Sequence, residues 1–281
     1  MGTFGRANKL HPHEVRALVC CAIPMIYSEG RKSALAFGLP NRKPDYAKET
    51  LMRIWEISDR YDSLALLEKL SEANLQVPVI SEIFDHIIKK FQYEIIRGVF
   101  TPIRSENLLD MNLPKNFQNL WTSSTSNANN DIKAFLSYLH NPGDTGSTFH
   151  NITASLLTSR LNNGVAGYEE AIRSLVVYGF SVDELTKIDN FSAWDLGRCG
   201  RVAALAVTAS YLDKNTAWQY VLTAGKNAYS GYTSWRQFLA AYFIGRSVMN
   251  NSDNFEDFRE TIQYLVRDSK SPYQKFPLKS T

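Results

Sequence analysis

SVDELTKIDNFSAWDLGRCGRVAALAVTASYLDKNTAWQYVLTAGKNAYSGYTSWRQFLAAYFIGRSVMN, residues 181–250, is punctuated like a run of α-helices. Ser181 and Glu184 have the spacing of a capping box, in which hydroxyl and carboxylate satisfy two N–H groups that a helix start leaves open. Ser192 and Asp195 resemble a second box, with Asp in place of Glu, and open an apolar segment predicted to run through Tyr211. Asp213 to Asn215 supplies a cap for a helix over 216–228, and Thr233 or Ser234 caps one over 235–249. Outward from this block, Asn254 starts a helix over 255–267, and Pro272 and Pro277 mark a loose tail. On the other side, a helix over 168–178 ends at Gly179, a natural residue for the left-handed turn after a helix.

The N-terminal half reads the same way. Val15, Leu18, Val19, Ala22, Ile23 and Ile26 recur at helical spacing over 13–28, with Pro12 at the first turn and Pro24 as an interior breaker. A loop rich in Gly, Pro and basic residues follows, from Gly38 to Pro44. Leu51, Ile54 and Trp55 then share one helical face, and Asp62-Ser63 can start a helix that turns Leu64, Leu67 and Leu70 inward. Pro78 opens a further helix whose stripe includes Ile80, Ile83, Ile87, Ile88, Phe91 and Ile95, with Lys89, Lys90 and Arg97 mainly off it. From about residue 101 to 152 the composition shifts. Thr122–Asn130 is polar and low in complexity, His140–Ser147 is a turn cluster, and only 132–139 has a helical pattern.

Alternating strand patterns are scarce. The expectation is an all-α fold, a multi-helix globular bundle of roughly ten helices with a polar, loop-rich insertion in the middle. Its expected divisions are an N-terminal helix and loop over 1–45, a helical domain over 46–250 with the insertion at 101–152, and a C-terminal helix and tail over 251–281.

The 281 residues are 44% apolar and 21% charged, enough to build a core and too apolar for a chain disordered throughout. With 31 basic against 28 acidic residues the net charge is +3, short of what a dedicated DNA-binding domain carries. No nucleic-acid partner is expected, because acidic residues interleave with basic ones and no helix-turn-helix or aromatic platform motif is present. The longest apolar runs, about ten residues, are too short to span a bilayer. The run from Leu18 to Tyr27 is broken by Pro24 and lacks a convincing cleavage site, so a cytoplasmic protein without a membrane span is expected. Cys20, Cys21 and Cys199 lie in apolar runs and read as buried reduced thiols.

Catalytic patterns are thin. The five histidines, His11, His13, His86, His140 and His150, all lie outside 181–250, and no zincin, nucleophile-elbow, C-x-x-C or P-loop pattern occurs. His11 and His13 could pair on a metal, but no Cys or carboxylate cluster accompanies them. No catalytic residue, metal site or cofactor is assigned, and the balance leans away from an enzyme.

The charged and indole residues of 194–246 are the informative ones. Asp195 and Arg198, three residues apart, share a helix face. Arg246 follows Gly245, which lets backbones approach closely, and Trp194, Trp218 and Trp235 fall on three consecutive helices. Two readings stay open. Asp195 holds Arg198 or Arg246 in a buried structural ion pair with the tryptophans as aromatic anchors, or Asp195, Arg198 and Arg246 floor a tryptophan-walled pocket for an anionic ligand.

These same positions carry a resemblance. Trp194-Asp195-Leu196-Gly197-Arg198, Tyr211-Leu212-Asp213, Ala217-Trp218, Ser234-Trp235-Arg236-Gln237-Phe238 and Gly245-Arg246 resemble the signature of a bacterial family of unknown function, domain family twelve sixty-six. The one departure is Ser210, where the family pattern has Gly before the Tyr. Trp55-Glu56-Ile57 followed by Leu64–Leu70 is similar to its N-terminal part. The resemblance implies a helical fold and a bacterial source, and it implies no reaction. The expectation is a non-enzymatic helical protein that binds another protein. By analogy with other bacterial helical proteins, the partner would be a cognate toxin, neutralised as by an immunity protein, or a secretion-system component.

Overall fold

A computed structural model of the chain describes residues 10–39, 41–73, 88, 94–95, 148–188, 190–250 and 255–279. In chain order the helices are α1 (Pro12–Cys20), α2 (Ala22–Glu29), a 3-10 turn (Arg31–Ser33), α3 (Pro44–Trp55), α4 (Arg60–Ser71), α5 (Thr148–Val177) and α6 (Val182–Leu185). They continue with α7 (Ala193–Thr208), α8 (Lys214–Gly231), α9 (Trp235–Asn250), a 3-10 turn (Phe255–Phe258), α10 (Arg259–Arg267) and α11 (Pro272–Lys275). The fold is multi-helix and all-α, with no strand among the described residues. No described helix is long and apolar enough to cross a membrane. The insertion expected at 101–152 lies outside the described residues, apart from the start of α5.

The chain forms two compact units, one of residues 1–76, 174–246 and 254–281, the other of 77–173 and 247–253. At the centre of the first unit is α7, buried over most of its length and packed on α1, α2, α3, α4 and α8. Small residues make that crowding possible. A methyl group on Gly200 would overlap the Cys21 side chain, so α7 meets the α1–α2 corner with no atom to spare. Cys20, Cys21 and Cys199 come together there, all buried and free. Burial raises the Cys20 and Cys199 thiols well above their ordinary range, which leaves them protonated and unreactive.

In the second unit, Ile88 and Ile95 are buried, consistent with the expected stripe, most of which lies outside the described residues. Gly167 of α5 sits against the Ser247 carbonyl, closer than any side chain would allow.

Several local expectations need correction. The helix over 13–28, which Pro24 is expected to kink or end, is two helices, and the break falls at Cys21. Pro24 lacks an N–H and its ring crowds the carbonyl four residues earlier, so the break falls one turn before the proline, and Pro24 itself sits in the first turn of α2. All six apolar residues that defined the pattern are nonetheless buried. On α3 the inward face is Ala47, Thr50 and Leu51, while Ile54 is 53% exposed. Helix α4 starts at Arg60 because Asp59, not Asp62, caps it by accepting from the Asp62 N–H at 2.9 Å. Leu67 and Leu70 point inward as expected, but Ser63 takes the third buried place and Leu64 is half-buried. Helix α5 begins twenty residues before the predicted helix over 168–178, though it ends where expected, at Gly179 with φ +91°. The C-terminal tail is packed: Tyr273 and Leu278 are buried, and the Phe276 carbonyl accepts from the Trp235 indole N–H at 2.7 Å.

Candidate functional site

The start of α7 sets the geometry of the signature residues. Ser192 occupies the cap position, but its side chain makes no cap bond, and Asp195 does not reach back to complete the box. The reason is visible at both residues. The Tyr232 hydroxyl, delivered from the end of α8, accepts from the Ala193 N–H at 2.8 Å and bonds Ser192 Oγ at 3.0 Å, doing the capping from outside the helix. Asp195 is released for another partner. Its carboxylate, fully buried, accepts from Arg198 Nη2 at 2.5 Å. Arg198 Nε donates to the Trp194 carbonyl at 3.2 Å, and its guanidinium lies 4.0 Å over the Trp194 ring. Burial pulls the Arg198 guanidinium below its ordinary value, while Asp195 opposes that shift and Arg246 adds to it.

Arg246 closes the group from α9. Its guanidinium is 5.3 Å from the Trp194 ring centre and 4.4 Å from that of Phe258. The approach depends on Gly245, where a methyl would meet the Phe191 carbonyl and Trp194 Cβ. Tyr242 meets the Trp194 ring edge-on at 5.2 Å. Asp195, Arg198, Arg246 and Trp194 therefore converge, one carboxylate and two guanidiniums around a buried indole (6% exposed).

The other two tryptophans are elsewhere. Trp218, half-buried on α8, packs against Phe37 at 4.9 Å. Trp235, buried, stacks on Tyr273 at 5.3 Å and lines a cleft of about 270 Å³ with Arg236, Gln274 and Pro277. His11 and His13 are exposed with their rings stacked at 5.7 Å, and no group of three metal-ligating side chains occurs among the described residues.

A second charged network escaped the sequence reading. Arg201 on α7, 8% exposed, donates to Glu29 Oε1 at 2.9 Å, and Glu29 Oε2 accepts from Arg42 Nε at 3.0 Å. Arg201 also reaches the Tyr46 hydroxyl at 3.4 Å, and Arg42 covers the Tyr46 ring at 4.6 Å. The signal was present: a lone Arg followed by five apolar residues, Val202 to Ala206, must bring its charge to a carboxylate or to water. A third pair is exposed. Glu184, the N3 residue of the Ser181 box, accepts from Arg236 Nε at 2.8 Å, which together with the Ser181 N–H holds its carboxyl down at about 2.

Residues 50–278 match the model of a family described as protein of unknown function (DUF1266). No curated protein and no solved structure matches the chain.

Proposed function

Since the chain belongs to the DUF1266 family, whose description assigns no activity, we propose from its own residues that it is a non-enzymatic helical protein whose task is to bind another protein. The observation that carries this reading is the use made of the signature charges. Asp195 is matched to Arg198 one turn along the same helix at zero exposure, and Arg246 from α9 lies over the rings of Trp194 on α7 and Phe258, an arrangement suited to holding α9 against α7. A pocket for an anionic ligand floored by Asp195, Arg198 and Arg246 is the competing reading. It is less supported, because the carboxylate already neutralises one of the two cations.

The surface has material for a partner. Met52 and Ile54 at the end of α3 and Tyr61 at the start of α4 are 50%, 53% and 79% exposed, three large apolar side chains within ten residues. Each is a large apolar contact point left to solvent, and Tyr is favoured in interface cores. The small positive net charge fits a neutral or acidic partner better than a strongly basic one. By the analogy drawn above, a cognate toxin or a secretion component is the expected partner class.

Affinity capture from the native host with the full chain, repeated with Ile54→Asp/Tyr61→Asp, tests the reading. A specific protein that re-forms a binary complex from purified components, and is lost in the variant, supports it. A host extract that yields no specific protein partner removes it.

A further inference from the structure

The face where α1 crosses α8 holds a cleft that neither the signature nor the proposed partner surface uses. Gly225 of α8 lies against the backbone of Ala17 of α1, so close that a methyl there would sit 2.5 Å from Ala17 Cα. With the backbones in contact, the side chains flanking the crossing splay outward and leave a half-open cavity of about 290 Å³. One wall is His13 and Arg16, one helical turn apart on α1. The other comes from Gln219, Thr223, Lys226 and Tyr229, which recur at helical spacing on α8.

The charge of this cleft is one-sided. Arg16 and Lys226 line it, and Lys279 comes within 5.6 Å of the Tyr229 ring centre. None of these three cations makes an ion pair within the described residues, and no carboxylate lines the cleft. Glu14, the nearest acid in sequence, is occupied by its bond from the His11 N–H at 2.8 Å. Arg16 is held 4.6 Å over the Tyr229 ring, and its five N–H donors are more than that one contact can occupy. Arg198 and Arg201, in the same unit, are each matched to a carboxylate. Here the cations are gathered and left for something else.

We propose that this cleft binds a small phosphate monoester carrying hydroxyl groups. Several permanent cations with no counter-ion call for a dianion rather than a single carboxylate, and a guanidinium fork with an ammonium is the usual protein answer to a phosphate. Gln219 sets an amide beside those cations, and Thr223 Oγ1, which donates to the Gln219 carbonyl at 3.0 Å, keeps its lone pairs to accept from the hydroxyls of a sugar-like body. The volume is near the lower bound for small-molecule sites.

Calorimetric titration of the full chain at low ionic strength with glucose 6-phosphate, inorganic phosphate and glucose tests the assignment. Glucose 6-phosphate should bind, inorganic phosphate more weakly, and glucose not at all. Lys226→Glu, a change at an exposed position that leaves the fold intact by circular dichroism, should weaken the sugar phosphate by about tenfold or more, and Arg16→Gln should do the same. Gln219→Ala/Thr223→Val should lower only the advantage of glucose 6-phosphate over inorganic phosphate. No heat from glucose 6-phosphate at millimolar concentration overturns the proposal, as does unchanged affinity in Lys226→Glu. Tighter binding of a single-stranded oligonucleotide than of the sugar phosphate also overturns it, assigning the cations to nucleic acid. None of these results bears on capture of a protein partner, so the two readings fail separately.

Discussion

Two ion pairs in the first unit, one within α7 and one joining α6 to α9, are assembled from the same parts and differ sharply in exposure. Asp195 accepts from Arg198, which also donates to the Trp194 carbonyl and lies 4.0 Å over the Trp194 ring. Glu184 accepts from Arg236, which also donates to the Gly179 carbonyl and lies 3.9 Å over the Phe180 ring. Carboxylate, guanidinium, backbone carbonyl and aromatic face recur in both. The side chains of the first pair are 0% and 16% exposed, those of the second 46% and 37%. Water is the difference. Inside, each charge depends on the other because neither can be solvated alone; outside, either partner can be given up to solvent at little cost.

The largest expected effect comes from breaking the inner pair on one side. Asp195→Asn leaves Arg198 charged and mostly buried, and should cost about 3–5 kcal/mol of unfolding free energy, read as a fall in the urea midpoint. Asp195→Leu/Arg198→Leu removes both charges and should recover most of that loss. If Asp195→Asn unfolds at the wild-type midpoint, Asp195 is not paying a burial cost, the contrast between the two sites collapses, and the ligand-pocket reading gains.

A smaller effect tests whether that loss is confined to the pair or spreads along α7. The helix ends with Ser210 at φ +62°, with the Tyr211 N–H on the Ala206 carbonyl at 2.9 Å and the Ser210 N–H on the Val207 carbonyl at 3.1 Å, the Schellman arrangement. A left-handed residue with a Cβ costs about 1–2 kcal/mol, partly offset by the greater unfolded freedom of Gly. Ser210→Gly should therefore stabilise the chain by roughly 0.5–1 kcal/mol. Fifteen residues at 1.5 Å each put Ser210 about 22 Å from Asp195, so the two changes should add. A gain that vanishes in the Asp195→Asn background would mean that breaking the pair frays the whole helix.

That same turn shows what the sequence could and could not disclose. The family resemblance marked Ser210 as the departure from Gly, and the positive φ supplies the reason for Gly there. Caps built from neighbours were legible: the Ser181–Glu184 box, Asp213 before α8 and Ser234 before α9 all form, because their partners are three residues away. The cap of α7 was not, since its acceptor is the Tyr232 hydroxyl, about forty residues along the chain. The convergence of Arg246 with Trp194, and of Arg201 with Glu29, is tertiary in the same way. The early start of α5 was hidden by composition. Asn162, Asn163, Gly164 and Gly167 are poor helix formers, and close packing at Gly167 overrides their preference. For the cleft at α1 and α8 the cations were visible singly, but nothing in their spacing announced that His13 and Arg16 would face Lys226 and Tyr229.

The outer pair should give the smallest effect and a pH signature the inner one lacks. Glu184 is held down at about 2 from an ordinary 4.5, first by Arg236 and then by the Ser181 N–H. A carboxylate whose folded value is depressed contributes stability above its unfolded value and loses it as pH falls through the folded one. The contribution should therefore be complete above about pH 4.5 and fade toward pH 2. Because the side chain is nearly half exposed, solvent screening reduces it to about 0.5 kcal/mol. Glu184→Gln keeps the shape and most of the capping bond but cannot change charge, so its unfolding free energy should lie about 0.5 kcal/mol below wild type at pH 7 and converge on it near pH 2. Added salt should narrow the gap at pH 7, since exposed charges are screened within a Debye length. A gap of several kcal/mol at neutral pH, or one that salt leaves untouched, would show that Glu184 and Arg236 are shielded from water like Asp195 and Arg198, and exposure would no longer separate the two sites.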